Sequence, residues 1–249
     1  MSRHTRRWGT TPDGVARDVH RSYRVPVALG EDESILALFP LDLVMVPGLV
    51  LPLHIFEPRY RQLLKDVMAR DEADQEFGIV AAHPLHASGL GAYPIGTTAR
   101  VSEVDAYPDG RSDITTVGHR RFRINEIVER EPYLQARVSW LVEDTDAALE
   151  SEFSRALALR AAALFMRYRG LMSEVDDGLD DLPDDPHLLS YVLTAATVLT
   201  TEQRQSLLEL DSTDERLERA CELLSSEIGV IRVLPSIPMP QQWNLVHPN

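Results

Sequence analysis

The spacing of apolar residues changes character along this chain, and the changes divide it. From Ile35 to Phe39 every residue is apolar, a run short enough for a buried strand that closes at Pro40. Leu43 to Val46 and Leu49 to Leu53 resume the apolar character on either side of a Pro47-Gly48 turn. Pro58 stands where a first-turn proline belongs, and Tyr60, Leu63, Leu64, Val67 and Met68 follow at helical spacing with Arg61, Lys65 and Asp66 off the stripe. Phe77 to Ala82 predicts another strand. Thr97 to Tyr107 and Ser112 to Val128 then flank Pro108-Asp109-Gly110-Arg111, a hairpin signal. Phe122 and Ile124 alternate with Arg121, Arg123 and Asn125, and Leu134, Ala136, Val138 and Trp140 alternate with Gln135, Arg137 and Ser139. That period of two gives each strand one dry and one wet face.

Beyond Glu143 to Asp146 the period becomes helical. Leu149, Phe153, Leu157, Ala161, Leu164 and Tyr168 line one face, with Gly170 placed to end the helix. Glu174, Asp176, Asp177, Asp180, Asp181, Asp184 and Asp185 follow as a solvated linker, without the ligand spacing of a Ca²⁺ loop. Two further helix starts carry capping boxes, Thr200 with Gln203 and Ser212 with Glu215, the second leading into a core stripe of Leu217, Cys221, Leu224 and Ile228. The expected class is α+β: a curled sheet or small barrel with one helix over residues 34–143, then a helical bundle subdomain over 144–233. A flexible basic leader at 1–33 and a Pro-rich tail at 234–249 complete the expected division.

Charge sharpens this picture. The net charge is −14, and residues 1–30 hold six arginines against Asp13 and Asp18, a surplus of +4, so the remainder carries −18. An acidic folded part disfavours nucleic acid and anionic lipid. The apolar stretch Ile35 to Phe56 is long enough to cross a bilayer, but Pro40, Pro47 and Pro52 interrupt the helix that spanning requires, so no membrane partner is expected. The lone cysteine, Cys221, excludes an intramolecular disulfide, and with no secretory leader pattern the expected location is cytoplasmic.

Lysine usage excludes more. Lys65 is the only lysine, and it follows Leu63-Leu64 rather than a glycine. A Walker A loop needs Gly-Lys-Ser/Thr to cradle phosphates, and a Ser-Lys dyad or Schiff base would need that same helical lysine. No G-x-S-x-G elbow is present either. The expectation is a protein that is not an enzyme, with no cofactor.

The string Phe39-Pro40-Leu41, Val46-Pro47-Gly48 and Leu51-Pro52-Leu53-His54-Ile55-Phe56-Glu57-Pro58-Arg59-Tyr60-Arg61 resembles the opening of the Lon protease N-terminal domain family, in the form found in stand-alone and ubiquitin-ligase-associated members. Ile95-Gly96-Thr97, Gly118-His119-Arg120-Arg121-Phe122-Arg123-Ile124 and the helices from Gln203 to Ile228 match in the same order. The resemblance implies a PUA-like β pseudo-barrel followed by an α-helical bundle, and a role in capturing unfolded or degron-bearing proteins. Nothing after Leu234 resembles an AAA+ module or a Ser-Lys protease domain, so a stand-alone, non-catalytic member is expected. Its partners would be unfolded or client polypeptides, with a protease or chaperone as a further partner, and its state a monomer or weak homodimer.

Candidate binding residues each have a structural alternative. Phe56, Arg59 and Tyr60 at the start of the first helix form either an apolar pocket with a cationic handle for extended peptide or a hydrophobic staple with an ion pair. Arg121 and Arg123, on the wet face of their strand and near Arg137, are either an RNA-binding patch or an ion-paired, solvated sheet. His83 and His86 lack a third metal ligand nearby and read as loop histidines. The alternatives to client binding are a component related to ATP-dependent peptidases and RNA binding through the barrel.

Overall fold

The computed structural model describes residues 33–86, 91–143, 151–172 and 182–233. Six strands come first: β1 (Glu33–Leu41), β2 (Val50–Ile55), β3 (Glu76–Ala81), β4 (Ile95–Ala106), β5 (Ser112–Glu129) and β6 (Gln135–Trp140), with helix α1 (Pro58–Met68) between β2 and β3. Helices α2 (Glu152–Met172), α3 (Pro186–Ala196), α4 (Thr201–Leu208) and α5 (Thr213–Val233) follow. The fold is therefore α+β, as the change of period predicts. The expected leader and tail, with Leu149 and the acids from Glu174 to Asp181, lie outside the described residues.

The strands close on themselves. β5, β4, β3, β1 and β6 are successive neighbours, and β6 pairs back onto β5, leaving β2 as the terminal strand along the first part of β5. β5 is long enough to serve three partners. Its residues 112–117 meet β2, residues 122–129 meet β6, and β4 runs along its other edge. Register shifts in the β4–β5 and β5–β6 pairs supply the bends that closure demands. The one parallel pair, β1 with β3, spans the crossover through β2 and α1.

Phe122 fills the ring, with Leu36, Leu38, Val80, Ile124, Ala136 and Val138 around it. Its ring tip sets the residue at position 96: a Cβ on Gly96 would stand 2.9 Å from Phe122 Cζ and 2.3 Å from the Ile79 carbonyl oxygen. Outside the ring, α1 lays Tyr60, Leu63, Leu64 and Val67 against Phe39, Met45, Ile55, Phe77 and Ile114. Pro58 occupies the first turn as predicted.

The helices form their own core from Leu157, Ala161, Phe165, Tyr168, Leu193, Leu217, Cys221, Leu224 and Ile228. Three sequence expectations change here. The α2 helix runs through Gly170 to Met172, Phe165 joins its buried face beside Leu164, which packs against the core only partly buried, and Phe153 is 60 % exposed. The acidic run ends in a helix start: Asp185 accepts a bond from the Leu188 N–H (2.9 Å) and Pro186 opens α3. Thr200 and Gln203 form the predicted capping box at α4.

Strands and helices meet over Val44, Val46, Ala81, Tyr93 and Ile95 on one side and Tyr191 and Leu208 on the other. Among the described residues, these buried side chains fill the seam.

Candidate functional site

The start of α1 and the β4–β5 hairpin are distant in sequence but adjacent in space, because β2 pairs with the first residues of β5. His54 lies opposite Asp113, and Ile55 opposite Ser112. His54 Nδ1 is 2.5 Å from Asp113 Oδ1, and the Tyr107 hydroxyl donates to the other oxygen of the same carboxylate. The Tyr107 and His54 bonds hold the Asp113 carboxyl below its ordinary pKa, while the bond to Asp113 holds the Tyr107 phenol above its own. Around them the His54 ring lies 5.9 Å from Phe56 and 6.3 Å from Tyr107.

Cations border this aromatic ledge. Arg59 pairs with Glu57 at 2.8 Å, and Arg111 with Asp109 at the same distance. The Arg61 guanidinium rests on the hairpin tip: Gly110, at φ +85°, turns there and leaves the space a side chain would take. Tyr107 is 41 % exposed and Val50 57 %. The result is an amphipathic surface: His54 and Tyr107 positioned by their bonds to Asp113 with Phe56 beside them, rimmed by paired charges.

The candidate residues divide on this surface. Phe56 is half-buried within the ledge, and Arg59 is exposed beside it. Tyr60 is a core residue: its ring stacks on Phe39 with centroids 3.9 Å apart, and the Arg59 guanidinium covers it at 4.5 Å. Sequence reasoning missed His54, Tyr107, Arg111 and Asp113. The signal available was an aromatic residue directly before a turn, but nothing in the sequence told that this turn lands beside α1.

Arg121 requires a correction. It is fully buried, not on a wet face, because the helices cover that side of β5. Its guanidinium donates to Glu143 (2.6 Å) and to the carbonyls of Leu208 (2.8 Å), the last residue of α4, and Leu210 (2.7 Å), two residues beyond it. Burial alone would lower its pKa, but the bonded Glu143 carboxylate carries it above the ordinary value. Arg216, also fully buried, donates to the Leu207 and Leu210 carbonyls and lies over the Tyr191 ring at 4.3 Å. Tyr191 in turn donates to Glu143, and burial pushes its hydroxyl pKa up.

Arg123 remains exposed, while Arg137 faces Glu126 at 3.6 Å. The three-arginine patch imagined for RNA is thus not assembled. His83 and His86 stand against Tyr93 with ring centroids 4.9 and 5.0 Å away. Among the described residues no three His, Cys, Asp or Glu side chains converge, and no helix is long and apolar enough to cross a membrane.

Among the described residues, a closed ring with a terminal strand is followed by four helices, and this α+β fold is similar to that of solved Lon N-terminal domains. The crystal structure of a Lon N-terminal domain protein from Xanthomonas campestris shares 28 % identity and a TM-score of 0.57, covering 77 % of this chain and 98 % of that one. The N-terminal domain of a Mycobacterium avium complex Lon protease superposes with a TM-score of 0.60 at 21 % identity, a likeness of fold. Residues 35–226 match the family described as the ATP-dependent protease La (LON) substrate-binding domain, and the chain belongs to that family. Among curated relatives, the Lon protease of Anaeromyxobacter dehalogenans is 28 % identical over 229 residues and Lon protease 2 of Myxococcus xanthus 29 % over 207. The chain spans about a quarter of the length of these relatives, 27 % of the first and 24 % of the second.

Proposed function

We propose that this chain is a non-catalytic recognition domain that binds extended stretches of unfolded or specific client polypeptides, in the service of proteolysis or protein quality control, with a protease or chaperone as the acting partner. Membership of the Lon substrate-binding family supports the role. The observation that carries the place is the ledge of His54, Phe56 and Tyr107, an aromatic surface pre-set by the Asp113 bonds and bordered by Arg59 and Arg111. Rigid aromatics beside guanidinium groups are the side chains that concentrate binding energy at interfaces.

The β2 edge shapes how a client would lie. Gly48 donates to the Gly118 carbonyl and Gly118 to that of Leu49, so along the β2–β5 register the backbone groups of Leu49, Leu51 and Leu53 face β5 and those of Val50, Pro52 and His54 face the free edge. Pro52 brings no N–H to that edge, so continuous β-pairing is blunted and side-chain contacts carry recognition.

Fluorescence anisotropy with a permanently unfolded, thiol-blocked protein as probe tests this reading. The double variant Phe56→Ala, Tyr107→Ala is expected to weaken binding about ten-fold or more with the melting temperature unchanged. Undiminished affinity in a folded double variant removes the ledge as the site.

A further inference from the structure

Helix α2 has two faces with opposite destinies. Ser154, Leu157, Ala158, Ala161, Phe165 and Tyr168 point into the bundle. On the other side Ala156, Leu159, Ala163, Met166 and Gly170 recur at alternating intervals of three and four, the spacing of a coiled-coil seam. This seam is open: Leu159 is 74 % and Met166 46 % exposed, and Phe153 beside it is 60 % exposed. Large apolar side chains grouped on one exposed helix face are the kind of surface that marks a contact site.

The charges beside the seam bear on which partner it would fit. Arg160 and Arg167 flank it on one side and Arg155 on the other, and the helix carries a single acid, Glu152, in its first turn. That is a cationic face on a chain whose net charge is −14. In a paired helix such flanking positions meet those of the partner and select the opposite sign. A second copy presenting the same face would set arginine against arginine, so self-pairing through α2 is repulsive.

We infer that the outer face of α2 is a docking site for an amphipathic helix of a partner protein, one with large apolar residues along its seam and acidic residues on both flanks. The alanines and Gly170 let that helix approach closely, Leu159 and Met166 pack between its apolar residues, and the arginines fix partner and orientation. The surface involves none of the ledge residues, so it gives the domain a second contact independent of client capture.

The test uses the full chain and a blocked synthetic peptide of about three heptads with leucine at the seam and glutamate on the flanks, beside a twin with lysine in place of glutamate. Titration by anisotropy is expected to show the glutamate peptide binding at least about ten-fold tighter than the lysine twin. Leu159→Asp abolishes that binding, while the pair Arg160→Glu, Arg167→Glu reverses the preference toward the lysine peptide. Phe56→Ala leaves it unchanged, which separates this site from the ledge. Equal affinity for both peptides, or binding indifferent to Leu159→Asp in a variant of unaltered melting temperature, overturns the inference. So does concentration-dependent association of the unmodified chain that Leu159→Asp abolishes, because the seam would then belong to a second copy.

Discussion

At the scale of single residues, the strongest polar commitments lie away from the ledge. Arg121 is enclosed between Glu143 and two carbonyls, so Arg121→Ala takes the nearest cation from a carboxylate that keeps the Tyr191 hydroxyl, and removes a donor from the Leu208 and Leu210 oxygens. Loss of one partner from such a pair costs about 3 kcal/mol or more, and urea denaturation of the variant should show the midpoint fall accordingly. Glu76 behaves differently. Burial acts to raise its pKa, but bonds from His119, Arg120 and Thr98 prevail and hold it below the ordinary 4.5. A depressed native value means the carboxylate stabilises the fold above pH 4.5 and loses that contribution as pH falls through the native value. Stability measured across that acid window should fall less steeply in Glu76→Gln than in the unmodified chain.

At the scale of elements, helix starts are where sequence and structure agree most closely, since a cap is a local device. The Thr200–Gln203 box at α4 needs only its own few residues, and Thr200→Ala should cost about 1 kcal/mol by chemical denaturation. The hairpin at Pro108 to Arg111 and the apolar stripe of α1 are legible for the same reason. What the sequence conceals depends on contacts made at a distance. Asp185 looks like one more acid in a solvated run until Pro186 and the Leu188 N–H show it to be a cap. Arg121 obeys the alternation of an exposed strand face, yet the α4 end of the bundle covers that face, and no periodicity within the strand records it. Phe153 fits a helical stripe in the sequence but lies outside the angle that α5 and α3 occupy. The ledge shares this limit: Phe56 and Arg59 are local to one helix start, whereas Tyr107 and Asp113 join them only through the β2–β5 register.

At the scale of the whole molecule, ring and bundle are fastened by an apolar seam and by the network of Arg121, Glu143, Tyr191 and Arg216. Two layers joined this way should unfold together. Hydrogen exchange in the β5 ring and in α5 is expected to share one opening free energy in the unmodified chain, and to separate in Arg121→Ala, with the helices exchanging first. The long β5 strand bears on how such a molecule comes into being. One strand must find β2 on one edge, β4 on the other and β6 beyond, and β2 is separated from it by α1, β3 and β4. The ring closes only when β6 pairs back onto β5, so chain already synthesised must wait for both strands, a topology that folds slowly relative to local hairpins and helices. During that interval the apolar faces that β1 and β3 bring to the ring stand uncovered.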